Sequence, residues 1–330
     1  MTSAKTFQAF VVDENKHGQL KMLAVDDLPA GEVLIRSSYS SLNYKDALAA
    51  TGHPGVARNL PHVPGVDVVG VVETSDDDRY RPGDRVFVTG YELGAPRWGG
   101  WSEKVRVPAD WVVPLPEEIS DTQVMAIGTA GFTAAQCVTS LQLHGITPDR
   151  GEILVTGATG GVGSIALALL SKLGYTTVAV TGKAERHEQL RRWGAERVIS
   201  REQLDTDSDK PLLKSAWAGA VDTVGGKTLA TVIKQLAHRG CVAACGNVGG
   251  VELPLTVFPF ILRGVTLDGI DSAQCPRGDR MQIWERMFGP WQLPELESRT
   301  ERVPLSQIDR SVQEILAGKV TGRIIVDTTA

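Results

Sequence analysis

The chain has 330 residues, 42% of them hydrophobic, with 34 Lys and Arg against 39 Asp and Glu for a formal charge of −5. This length exceeds one typical domain and supplies a large core, so two domains are expected. An acidic balance without a basic stripe argues against a nucleic-acid partner, and no apolar run reaches the ~18 residues of a membrane span.

Residues 1–10 lack the basic start and apolar centre of a secretory signal. Short strands then alternate with turns. Residues 7–13, 33–41, 66–74, 85–89 and 103–107 are rich in Val, Ile and Tyr, and Gly, Pro and Asp separate them, as in Arg81-Pro82-Gly83-Asp84. The expectation is a β-rich, barrel-like domain. His53 and His62 fall in one of its loops. Without a cysteine or evident acid beside them they read as solvent-facing.

From about residue 120 the rhythm changes. Residues 121–143 are apolar at helical spacing. Strands are expected at 153–156, 177–181, 197–199, 219–223, 240–245 and 265–270, with helices between several of them, among them 162–173 and 185–193. Six strands with intervening helices indicate a doubly wound parallel sheet. Helices at 279–288 and 306–316 and a strand at 323–327 return to the style of the first part, so the first domain is expected to be discontinuous. The four cysteines, Cys137, Cys241, Cys245 and Cys275, show no CxxC spacing and read as reduced packing thiols of a cytoplasmic protein.

Ala158-Thr159-Gly160-Gly161-Val162-Gly163 follows the first strand of the α/β part and opens an amphipathic helix. In this context the pattern AxGxxG reads as a dinucleotide turn. Gly160 lets backbone approach a pyrophosphate, Gly163 lets helix pack on strand, and the helix N-terminus offers free N–H groups. Ala158 replaces the first fingerprint glycine, although Gly157 and Gly161 flank it. An NAD site usually places an acid at the end of the second strand. Here Thr181-Gly182-Lys183 stands there, with Arg201 after the third strand. Hydroxyl and cations in place of an acid favour NADPH, whose 2′-phosphate they would hold.

The stretches Ser40-Ser41-Leu42-Asn43-Tyr44-Lys45-Asp46-Ala47, Pro64-Gly65-Val66-Asp67, Gly128-Thr129-Ala130-Gly131-Phe132-Thr133-Ala134, residues 217–225 and residues 240–246 resemble the YhdH/AcuI branch of the medium-chain dehydrogenase/reductase superfamily. The resemblance covers nearly the whole chain. It implies an α/β protein with a GroES-like β-rich catalytic domain, residues 1–128 and 272–330, and a Rossmann NADP-binding domain with a doubly wound parallel sheet, residues 129–271. It also implies NADPH-dependent reduction of acrylyl-CoA or of quinone-like acceptors, and a homodimer. Where zinc members carry their ligands this chain has Asn43 or Tyr44, Val66 and Asp67, and no four-cysteine lobe follows. No metal is expected. The resemblance further places Asn247, Ile261, Ser272 and Gly318 around the cofactor.

Without a Lewis acid, an activated C=C is the easier hydride acceptor. Hydride goes to the β carbon, and the carbonyl oxygen takes up charge that needs hydrogen-bond donors. Tyr44 and Asn43 are the candidate donors. Tyr44 doubles as a cofactor contact, and Asp67 orients either or relays a proton. Tyr44 as a packing residue and Asp67 as a turn cap are the plainer alternatives, and Lys45 and Asp46 read as an exposed or structural pair. Arg97 and Trp98 line a substrate mouth or anchor a loop; Arg97 is the candidate for a CoA phosphate. Three functions follow: an acrylyl-CoA reductase, a quinone or enone reductase, and an NADPH-binding or redox-sensing protein without turnover. The partner expected is a small molecule, with no nucleic acid and no membrane.

Overall fold

Runs of β-branched and aromatic residues between turn formers become strands, and 3.6-residue apolar spacing becomes helices. The computed structural model describes residues 6–205 and 209–330. Residues 1–5 of the stretch weighed as a secretory signal lie outside it. In chain order the elements begin with β1 (Thr6–Val12), β2 (Gly18–Ala24), β3 (Val33–Leu42), α1 (Tyr44–Ala50), β4 (Asp67–Ser75), β5 (Arg85–Thr89), β6 (Lys104–Val107) and β7 (Val113–Pro114). Next come α2 (Asp121–Leu143), β8 (Ile153–Val155), α3 (Gly161–Lys172), β9 (Thr177–Val180), α4 (His187–Arg192), β10 (Arg197–Ile199), α5 (Arg201–Leu204), β11 (Trp217–Asp222), α6 (Gly226–Gln235) and β12 (Leu236–Ala244). The chain continues through α7 (Phe258–Arg263), β13 (Thr266–Gly269), α8 (Arg277–Phe288), β14 (Thr300–Pro304), α9 (Ile308–Leu316) and β15 (Arg323–Asp327).

The chain divides into two compact units. The first is Met1–Thr129, Ser272–Gln282 and Pro294–Ala330; the second is Ala130–Asp271 and Ile283–Leu293.

In the first unit β1 pairs with β2, and a seven-stranded mixed sheet runs in the order β14-β15-β3-β4-β5-β7, with β6 also paired to β3. One core joins β1 to Trp101, α9 and β15; another gathers buried residues of β3, β4, β5 and β6. Trp101 is fully buried, edge-on to Phe10, and its Nε1 donates to Ser41 O at 3.0 Å. β15 lies antiparallel to β3, pairing Ile324 with Leu42, so the segment after residue 300 completes this sheet. His62 corrects the reading from sequence. It is 1% exposed, bridged to Val12, with Nε2 3.2 Å from Gly94 O, and burial pushes its pKa down. His53 is exposed.

The second unit is a six-stranded parallel sheet in the order β10-β9-β8-β11-β12-β13. Its central strands read ILV, TVAV and WAGAVD and are buried throughout, as strands covered on both faces must be. Residues 283–293, read from sequence with the first domain, group here: Trp284 stacks between Phe132 and Phe288. α2 is, by length and composition alone, apolar enough to cross a membrane, but 83% of that stretch is buried, as in a core helix. None of the four cysteines forms a disulfide among the described residues; Cys241 is buried on β12, and the Cys137 thiol contacts that of Cys245.

Candidate active site

The glycine turn occupies the position its pattern implies. β8 ends at Val155, and Gly160 caps α3, whose first amides have no acceptor one turn earlier. A Cβ on Gly163 would lie 2.5 Å from Gly157 O and 2.9 Å from Ala158 Cα, so glycine is required for the helix to close on the turn. A Cβ on Gly160 would meet only Gly157 O, at 3.3 Å. That contact is tight but milder than the one at Gly163, and the bare main chain fits a pyrophosphate laid across the helix end. Thr159 is buried, while Gly161 and Val162 are half-buried. Beneath the turn, Thr156 Oγ1 donates to Asp222 Oδ1 at 2.7 Å, and Gly225 N–H donates to Asp222 Oδ2 at 2.7 Å. Burial pushes the Asp222 carboxyl upward. Asp222 thus ties the turn after β8 to that after β11. The reading from sequence gave it no role, although an acid closing a wholly buried strand was the signal.

At the end of β9, Thr181 is buried and its Oγ1 accepts the Lys183 N–H at 3.0 Å, leaving the hydroxyl hydrogen to donate elsewhere. Arg201 lies against Gly182: a Cβ there would be 3.2 Å from its Nε. Lys183 and Arg201 therefore do share one corner. Burial first, then Arg186 and Arg201, lower the Lys183 pKa. Asn247 lies exposed past β12, its Cα 3.1 Å from where a Cβ on Gly225 would be. Ile261 is 68% exposed on α7, among the exposed Val257 and Leu262.

In the first unit two of the three residues picked from sequence, Asn43 and Asp67, join in a polar cluster, and Tyr44 lies outside it. Asp67, at the start of β4, is 0% exposed. Its carboxylate accepts from Ser41 Oγ at 2.5 Å, Asn43 Nδ2 at 2.9 Å, Thr129 N at 2.9 Å and Thr129 Oγ1 at 2.6 Å. The Thr129 amide is available because α2 breaks at Gly128, which has φ 49° and ψ −160°. A Cβ on Gly128 would sit 2.7 Å from Asp67 Oδ2 and 2.8 Å from Arg323 Nη2. Arg323, on β15, is buried; its Nε donates to Ala126 O at 3.0 Å and its Nη1 to Asn43 Oδ1 at 3.0 Å. Its Nη2 stands 4.0 Å from Asp67 Oδ2, and burial lowers the guanidinium pKa.

Asp46 and Lys45 are not a pair: Lys45 is exposed and Asp46 fully buried. Asp46 accepts the Asn43 N–H at 2.8 Å, Asn43 Nδ2 at 3.1 Å and the Val66 N–H at 2.8 Å. Burial, and then the Asp67 charge, push its pKa up to about 7. Asn43 Nδ2 also lies 3.0 Å from Ser41 Oγ, so its two hydrogens are directed at acceptors within the cluster. Asn43 is thereby held within the cluster through its side-chain amide. Tyr44 opens α1, is 38% exposed, and its hydroxyl makes no hydrogen bond among the described residues. Sequence reasoning missed Ser41, Thr129 and Arg323 and passed over Asp46. An arginine opening an otherwise apolar strand, RIIVD, was the available signal.

Ser272 O accepts from Arg280 Nη2 at 3.0 Å. Gly318, φ 67°, follows α9 as a left-handed helix terminator, and its N–H donates to Ile315 O. Arg97 donates to Ala30 O and covers the Trp111 ring, while Trp98 Nε1 donates to Pro61 O at 3.0 Å. Both side chains anchor their loop. Among the described residues no three His, Cys, Asp or Glu side chains form a metal-holding group.

Two family models match the chain: an alcohol dehydrogenase GroES-like domain over residues 29–117 and a zinc-binding dehydrogenase over residues 161–287. Acrylyl-CoA reductase AcuI of Ruegeria pomeroyi is 46% identical over 98% of this chain and 100% of that protein. YhdH of Escherichia coli K-12, solved with bound NADPH, superimposes with a TM-score of 0.93 at 43% identity, covering 98% of this chain and 100% of that one. YhfP of Bacillus subtilis, a putative quinone oxidoreductase, is 45% identical over 97% of this chain and 98% of that protein. Its structure with NAD bound gives a TM-score of 0.94, covering 98% of this chain and 100% of that one.

Proposed function

The chain belongs to the medium-chain dehydrogenase/reductase superfamily, in the branch of AcuI and YhdH, and on that premise we propose that it reduces the C=C bond of acrylyl-CoA to give propionyl-CoA with NADPH. The observation that carries this reading is the 46% identity to an acrylyl-CoA reductase along essentially the full chain. The N-terminal amides of α3 and the bare Gly160–Gly163 main chain hold the diphosphate. Thr181, Gly182, Lys183 and Arg201 hold the 2′-phosphate. NADPH, when bound, supplies the hydride for the β carbon. Asn247, Ile261, Ser272 and Gly318 are proposed to border it.

Tyr44 donates its free hydroxyl to the thioester oxygen, where negative charge develops. Asn43 and Asp67 hold the start of α1, and so Tyr44, in place. A proton from solvent completes the α carbon. No metal takes part, because Val66 offers no ligand atom and the Asp67 oxygens are taken by Ser41, Asn43 and Thr129. The 45% identity to YhfP favours a second reading, reduction of a quinone.

The protein is also proposed to form a homodimer in the cytoplasm. β13 ends the parallel sheet with one edge unpaired. Beside it Val257, Ile261 and Leu262 expose an apolar surface. A second copy of this chain fits both features, extending the sheet across a two-fold axis.

NADPH oxidation with acrylyl-CoA, crotonyl-CoA and a quinone in parallel tests the function. Strong preference for acrylyl-CoA supports the first reading and quinone preference the second. Tight NADPH binding without oxidation by any of them leaves a dinucleotide-binding protein and overturns both.

A further inference from the structure

The corner after β9 carries more positive charge than Lys183 and Arg201 alone. A short turn, Ala184–Arg186, leads from Lys183 into α4, and the Arg186 N–H donates to Lys183 O at 3.0 Å. This fold-back brings Arg186 near enough for its charge to act on Lys183. Its Nε is shielded from solvent and donates to nothing among the described residues. Among the described residues its Nη1 donates to Gln189 Oε1, at 3.3 Å. Arg186 also caps the N-terminus of α4, where the helix dipole disfavours a cation.

Three cations gather after β9 and repel one another: Arg201 lies against Gly182, and the charges of Arg186 and Arg201 both act on Lys183. Glu185 acts on Lys183, Glu202 acts on Arg201, and Glu188 is paired with Arg192 on an exposed face. Such a constellation is stabilised by an anion with several acceptor oxygens. We infer that Arg186 is a third cationic ligand of the cofactor's adenosine 2′-phosphate, and hence a determinant of the choice of NADPH over NADH. The inference rests on the NADPH reading above. The assignment is economical of geometry. A phosphate dianion offers three oxygens; the Thr181 hydroxyl, the Lys183 ammonium and the two guanidinium groups approach it from the end of β9, the turn before α4 and the start of α5. The buried, orphaned Nε of Arg186 then acquires its acceptor.

The test is equilibrium binding of NADPH and NADH, by calorimetry or nicotinamide fluorescence, to the full chain, to Arg186→Met and to Arg186→Lys. Binding of 2′,5′-ADP against ADP isolates the 2′-phosphate. Arg186→Met is expected to weaken NADPH and 2′,5′-ADP about tenfold, as for loss of a charge-assisted hydrogen bond, with NADH and ADP unchanged. Arg186→Lys recovers part of that loss. Unchanged NADPH affinity in Arg186→Met overturns the inference. So does equal weakening of NADH, which marks a structural role. If the unsubstituted chain binds both dinucleotides equally, the NADPH reading itself falls, and that outcome is seen before any variant is made.

Discussion

Removing the Asp67 carboxylate, Asp67→Ala, perturbs the first unit at its most interconnected point. The substitution takes an acceptor from Ser41 Oγ, Asn43 Nδ2 and both Thr129 donors, and leaves the fully buried Arg323 guanidinium without the carboxylate nearest its Nη2. Breaking a buried charge pair from one side typically costs ~3–5 kcal/mol. Two effects limit the total. Asn43 Nδ2 keeps Asp46 and Ser41 as acceptors. Asp46, relieved of the Asp67 charge that helps hold its pKa up, ionises more readily and supplies a replacement anion for Arg323. The net expectation is a loss of about 3–4 kcal/mol in the stability of the first unit. Because the chain has two units, one unfolding midpoint would mix them. Hydrogen exchange at the amides of β3, β4 and β15 reads the first unit separately. The reasoning is refuted if protection there falls by less than ~1 kcal/mol, the value of a single ordinary hydrogen bond.

Asp46, with its pKa raised from 3.8 to about 7, binds its proton more tightly in the folded chain than in the unfolded one. Its contribution of roughly 4 kcal/mol is therefore present in full below pH 4 and disappears as pH rises through 7. Asp46→Asn is expected to flatten the pH dependence of first-unit stability in that window, measured by the same exchange experiment. Gly163→Ala places a methyl group 2.5 Å from Gly157 O; the helix must move from the turn, and NADPH and NADH binding should weaken together, in contrast to Lys183→Ala, which weakens NADPH alone. Ile261→Asp puts a charge on the apolar surface beside β13, and sedimentation is expected to show a monomer for this variant and the proposed dimer for the unsubstituted chain.

The parallel sheet was legible because its strands are buried on both faces and appear as short apolar runs, and because the AxGxxG turn sits between a strand and a helix. β2 escaped because GQLKMLA is at most half-buried and pairs with β1 alone, so no fully buried face marks it. β12 begins earlier than its apolar run, since Leu236–Arg239 joins it across a register shift at an arginine with φ 54°. The cluster around Asp67 was half legible. Asn43, Tyr44 and Asp67 stood out as polar residues beside strand ends. Their partners Thr129 and Arg323 lie far along the sequence, and local spacing carries no trace of which distant residues a sheet brings together. His62 misled for the same reason: a polar side chain in a loop signals solvent until the backbone bridge to Val12 encloses it.

The order in which these parts leave the ribosome matters. Most of the second unit, Ala130–Asp271, is one uninterrupted stretch, and its last piece, Ile283–Leu293, also precedes β15. The amino-terminal sheet is synthesised earlier yet must wait, since β15, which pairs with β3 and delivers Arg323, emerges later than that whole stretch. Until then one flank of β3 lacks its partner strand, and Asp67 lacks the guanidinium that stands 4.0 Å from it. A ribosome stalled before residue 323 would carry a finished nucleotide module and an unfinished neighbour, a state that limited proteolysis of arrested chains can capture.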